Sequence, residues 1–232
     1  MVPSGIDTFV DAMGEVGGKV RLPRRTLRFG GDGDDPNELQ VWATWTSLPY
    51  RDLYWRSDVC KRAWAGYGLS RTVRGFTRPT GGRYSHLAFR RGPLVWEATE
   101  TGVREGLARS FARYNIGVDA YAIQAEGRQH HAARLRILGA SAAGTPYDFG
   151  DLFDHAAERI LARVGLELYV KLRAGTAALI CSEFVPFAYQ AEGPALCAAL
   201  GLAHPADFVP DHIAHLYARR PALCAWRGRV VF

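Results

Sequence analysis

The stretch Tyr84–Gly102, YSHLAFRRGPLVWEATETG, decides the fold. Two apolar-rich runs, 84–91 and 94–99, flank Arg-Gly-Pro at 91–93. Alternating runs joined by a short Gly/Pro turn read as an antiparallel β-hairpin. The hairpin carries two groups that packing does not call for: His86 near the start of the first run and Glu97 inside the second. With the turn centred near residues 91–92, the two lie almost symmetrically about it. They are then cross-strand neighbours on one face of the sheet, close enough to interact.

Working outward, LQVWATW (Leu39–Trp45) alternates and predicts a further strand. FGGDGDDPNE (29–38) reads as a solvated loop. Its acidic residues lack the regular spacing of a calcium loop. GEVGGKV has a Gly-Lys without the spacing or the Ser/Thr of a phosphate loop. Residues 5–14 suit a short amphipathic helix. Downstream, GVREGLARSFARYN (102–115) is expected as a short helix and VDAYAIQAE (118–126) as a strand. RQHHAARLRILGASA (128–142) has helical period, ended by Gly144 and Pro146. Residues 151–172 place Leu152, Ala156, Ile160 and Val164 on one helical face. TAALICSEFVPFAYQAEG (176–193) is an apolar approach that turns into a helix and stops at Gly193. PDHIAHLYAR (210–219) is a short helix begun by Pro210 and Asp211, and RGRVVF is a final strand. The mix predicts an α+β fold with an antiparallel sheet packed against helices.

With 48% hydrophobic and 22% charged residues in 232, the chain is neither disordered nor fibrous. No run approaches the ~18 apolar residues of a membrane span. The start, MVPSGIDTFVDAMGEVGG, has no basic segment followed by an apolar core. The expectation is a protein kept in a cytosol, or packed into a virion or another delivered particle. Of 29 basic residues 26 are Arg, which suits a GC-rich genome as well as an anionic partner. The densest cluster, RLPRRTLR (Arg21–Arg28), has no interleaved aromatic residues, so it argues little for nucleic acid.

Four cysteines, Cys60, Cys181, Cys197 and Cys224, show no CxxC spacing, which excludes a zinc ribbon. No metal or cofactor set is expected. Cys181 has the most suggestive context. A thiol where an apolar run enters a helix sits among unpaired backbone N–H groups, which favour the nucleophilic thiolate. Ser182 suits the N-cap. Cys197 lies in an apolar helical run and reads as core. A cysteine nucleophile needs an imidazole within hydrogen-bond reach, and the imidazole needs a group that fixes its tautomer and steadies its charge. His86 and Glu97 suit those two parts. Singly, each of the three residues has an ordinary packing or surface role; their order and contexts together point to chemistry.

YSHLAF, LVWEA, YDF and CSEFV, in that order, resemble the circularly permuted branch of the NlpC-like papain-fold superfamily, the YiiX/YaeF type. In unpermuted relatives the cysteine helix comes first. Permutation explains why His86 precedes Cys181 by 95 residues. The resemblance covers about 84–213, including PADFVPDHI. It implies a papain-like catalytic domain over 39–232, with 1–38 an N-terminal extension and linker. It further implies Cys181 as nucleophile, His86 as general base and acid, and Glu97 as the residue orienting His86. Tyr147, of the Tyr-Asp pair, would line the substrate cleft with Ser182, and the backbone N–H of Cys181 would serve as oxyanion donor. The chain departs from the pattern in three places: RSDV (56–59) is a loose stand-in for a Gly-Asp strand, 151–173 is an added helical segment, and Pro186 falls in the first turns of the cysteine helix.

The activity so implied is an amidase or cysteine peptidase acting through an acyl-enzyme, with peptidoglycan stem peptides as first substrate class. A rival keeps the same trio and moves acyl groups on lipids or thioesters. A third reading is a non-enzymatic structural or adaptor protein, for example in a virion, that retains the fold.

Overall fold

A computed structural model describes residues 20–46, 83–99, 102–146, 181, 183–189, 193–202 and 208–232. Their strands are β1 Thr26–Arg28, β2 Gln40–Thr46, β3 His86–Arg91, β4 Leu94–Thr99, β5 Gly102–Leu107, β6 Asn115–Ile123 and β7 Cys224–Val231. Their helices are α1 Ala108–Tyr114, α2 Gly127–Ala142, α3 Phe184–Ala188, α4 Gly193–Ala198 and α5 His212–Arg219. One seven-stranded sheet runs β1-β7-β6-β2-β3-β4-β5. Every neighbouring pair is antiparallel except β1 with β7. The fold is α+β, as expected.

Period-two alternation sends side chains to two apolar layers. Val41, Ala43, Leu87, Phe89, Trp96, Ala98, Tyr121 and Ile123 pack under α2, α3, α4 and α5. Trp42, Ala88, Val95, Val118, Ala120 and Val230 form the opposite layer with Ala108 and Phe111 of α1. Both faces are therefore covered, which explains why the central strands carry apolar residues at successive positions. Each fully buried large side chain, such as Trp42, Phe89 or Phe184, contributes on the order of 1.5–3 kcal/mol.

The β3–β4 hairpin forms, with a register two residues from the symmetric guess. Arg91 pairs with Leu94 and Ala88 with Glu97. The loop is therefore Gly92–Pro93, and Gly92 takes φ +56°, the positive φ that the first loop position of a II′ turn requires. Because side chains repeat every two residues, this slip keeps Glu97 and His86 on one face. They are diagonal neighbours, not directly opposed ones.

Three other expectations are corrected. GVREGL is strand β5, and the helix predicted for 102–115 begins only at Ala108. Pairing decides this: Glu97 stands opposite Arg104, and the Trp96 indole N–H donates to Glu105 at 2.8 Å. Gly102 adopts φ +101°, and a Cβ there would meet the Thr145 carbonyl at 2.8 Å. Second, the helix expected to run on to Gly193 stops at Ala188, and Gly193 opens α4 instead. The cap of α3 is Glu183, not Ser182. Pro186 is the third residue of α3, where a backbone N–H has no intrahelical acceptor, so its ring is tolerated. Third, the acidic 29–38 segment is not simply solvated. Asp34 is buried and its two oxygens receive the buried Arg90 guanidinium. Arg90 also donates to the Gly92 carbonyl at 2.6 Å and lies over the Phe29 ring. Together with β1, this ties the segment before β2 to the sheet. The helical readings for 5–14 and 151–172 lie outside the described residues.

Candidate active site

Three elements bring the candidate side chains together. His86 is the first residue of β3 and Glu97 lies in β4. Their Nε2 and Oε2 atoms are 2.9 Å apart, with each side chain 15% exposed. Cys181 precedes α3 by three residues and is buried. Its thiol donates to the Ser85 carbonyl across 3.9 Å, which brings the sulfur to the start of β3. The sulfur is also near enough to the His86 ring to act on it through its charge and as a hydrogen-bond partner.

His86 and Cys181 belong to opposite layers. The imidazole stacks on Phe111 of α1, 6.1 Å between centroids and 28° between planes. Cys181 packs in the layer under α2 and α3. A sheet separates such groups everywhere except at strand ends, and His86 stands at one.

Electrostatics favours the charged forms. Burial lowers the His86 pKa, but Cys181, through charge and hydrogen bond, and then Glu97 outweigh it, raising the group from 6.5 to about 10. Burial pushes Glu97 upward, yet its hydrogen bond to His86 and the charges of His86 and Arg104 hold it below its ordinary value. An imidazolium between a sulfur and a carboxylate is the protonation pattern that cysteine-based acyl transfer uses.

The surroundings fix these positions. Arg136 of α2 donates to the Ala188 carbonyl at 2.8 Å, and the Tyr189 hydroxyl lies 3.0 Å from His130 Nδ1. Phe184 meets Phe89 edge-on at 5.2 Å. These contacts seat the cysteine-bearing segment on the sheet. Asp211, the residue before α5, is buried and makes no side-chain cap. Its carboxylate instead accepts the backbone N–H groups of Arg83 and Tyr84 at 3.0 and 3.1 Å, directly upstream of Ser85 and His86. The Tyr84 hydroxyl donates to Asp119 at 2.6 Å and lies 2.9 Å from the Tyr121 hydroxyl. Arg229 completes that group by donating to both Asp119 oxygens. Burial, then the Asp119 charge, raises the Tyr84 pKa, which keeps its hydroxyl a donor.

Of the residues singled out in the sequence, the structure thus assembles Cys181, His86 and Glu97. Tyr147, Ser182 and Cys60 lie outside the described residues. Cys197 is core, and Cys224 is buried with its thiol pushed up by burial. Sequence reading missed Arg104, Phe111 and Asp211. A strand pattern in GVREGL, following the polar Thr-Glu-Thr and opened by Gly102, was the available signal for Arg104. Among the described residues no group of three or more His, Cys, Asp or Glu is arranged to hold a metal ion, and no helix is long and apolar enough to cross a membrane. No family model, curated protein or solved structure matches this chain. Its class is therefore defined by chemistry: an α+β protein with a thiol, an imidazole and a carboxylate converging at a strand end.

Proposed function

We propose that the chain is a papain-like cysteine hydrolase of circularly permuted order, cleaving an amide bond through an acyl-enzyme on Cys181. The observation that carries this reading is the convergence of Cys181 and Glu97 on one imidazole, His86, from elements far apart in sequence. The Cys181 sulfur attacks the carbonyl carbon, forming a C–S bond. The oxyanion that develops is assigned to the backbone N–H of Cys181, the nucleophile's own amide being the usual donor. As the C–N bond breaks, the His86 imidazolium gives its proton to the leaving amine. His86 then takes a proton from water, whose oxygen attacks the thioester. The C–S bond breaks, the acid departs, and the imidazolium is restored. Glu97 holds the ring through Nε2 and stabilises its charged form throughout.

Peptidoglycan stem peptides are the first substrate class to offer, on the sequence resemblance to permuted NlpC-like proteins. The test presents the purified protein with muropeptides and with p-nitrophenyl acyl esters of increasing chain length. The reading expects muropeptide turnover that Cys181→Ser removes without unfolding the protein. Ester turnover that climbs with acyl length while muropeptides stay intact would overturn the amidase in favour of acyl transfer from lipids. No turnover of either would favour a structural role.

A further inference from the structure

Glu97 has two carboxylate oxygens, and the structure divides them. Oε2 meets His86 Nε2 at 2.9 Å. Oε1 accepts both Nη2 and Nε of Arg104, at 2.9 and 3.2 Å. Arg104 stands directly opposite Glu97 in the β4–β5 ladder. Directly opposed side chains are the closest pairs a sheet offers, so the register alone delivers the guanidinium to this oxygen. Two N–H donors converging on one oxygen restrain the rotation of the carboxylate plane, which a single point charge would leave free.

We infer that Arg104 is a positioning residue, which acts through Glu97 to keep Oε2 aimed at His86. The inference rests on reading Cys181, His86 and Glu97 as one unit. Among the described residues, the titratable and charged groups facing this carboxylate are His86 from β3 and Arg104 from β5. Cys181 acts on His86 from the segment before α3, and α1 contributes the Phe111 ring. Two opposite effects of Arg104 on His86 can be told apart by sign. Its positive charge offsets the carboxylate, so as a mere counter-ion it weakens the hold on the imidazolium. As a positioner it strengthens that hold. The Arg104 side chain is 54% exposed, so solvent screening keeps either effect to about two- to fivefold in the proton-binding constant.

The test is an NMR titration of the His86 ring, which requires no substrate. The proteins compared are the wild type, Arg104→Ala, Arg104→Gln, Glu97→Gln and the Glu97→Gln/Arg104→Ala double variant. Positioning predicts that Arg104→Ala lowers the His86 proton-binding constant about two- to fivefold. Arg104→Gln, which keeps a donor, should recover part of the loss. In the Glu97→Gln background, removing Arg104 should bring no further drop. A constant that rises or stays fixed in Arg104→Ala, or a drop that persists without the Glu97 carboxylate, would overturn the inference. A protein that hydrolyses nothing, yet shows the predicted titration, would remove the hydrolase reading and leave the part played by Arg104 standing.

Discussion

Replacing Glu97 by Gln removes one negative charge beside His86 and leaves an amide oxygen to accept from the ring. The His86 proton is held at about 10 against 6.5 for the free side chain. Cys181 supplies the larger share, and Glu97 adds one charge-assisted bond of 2.9 Å at a site where both side chains are mostly buried. Such bonds contribute about 1.5–3 kcal/mol, so Glu97→Gln should bring the His86 midpoint down by about one to two units. The sign follows from linkage. A raised folded-state pKa gives stability that is fully present below 6.5 and is lost as pH climbs to about 10. In Glu97→Gln that contribution is smaller and is gone at lower pH. Ring titration by NMR measures the midpoint, and urea unfolding across the same pH range measures the stability. A midpoint that does not move, or that rises, would refute the claim that Glu97 holds the imidazolium.

Other consequences can be checked alongside. Glu97→Gln should cost less turnover than His86→Ala, because an amide still accepts the ring N–H; equal and total loss with a lowered melting temperature would make Glu97 structural. Asp211→Ala leaves the N–H groups of Arg83 and Tyr84 without their acceptor; urea unfolding should show a loss of about 2–5 kcal/mol, much of it recovered by Asp211→Asn. Asp34→Ala strands the buried Arg90 guanidinium and should destabilise by about 3–5 kcal/mol in the same assay, whereas a change near zero would mean that the charge finds water.

The hairpin was legible because alternation and Arg-Gly-Pro are local signals. Its face assignment survived a register slip because that slip was even. What sequence windows could not see were partners brought in from a distance. GVREGLARSFARYN places Val103, Leu107 and Phe111 at helical intervals, and only the ladder with β4 draws its first half into a strand. The acidic 29–38 segment reads as solvent-facing until Arg90, 56 residues from Asp34, arrives to bury it. Asp211 reads as a helix cap, but the nearby N–H groups of Arg83 and Tyr84 take its carboxylate. The pairing of Cys181 with His86 was legible through the order of short motifs, since nothing local links residues so far apart. Arg104 lay hidden behind the wrong element for its segment.

If Cys181 is a nucleophile served by His86, selective alkylation will single it out among the cysteines. Brief exposure to iodoacetamide near neutral pH, followed by peptide mapping, ranks the four thiols by rate. Cys181 should be labelled first in the wild type and should lose that lead in His86→Ala. Label on Cys60, Cys197 or Cys224 ahead of an inert Cys181, or a Cys181 rate indifferent to His86, would contradict the account.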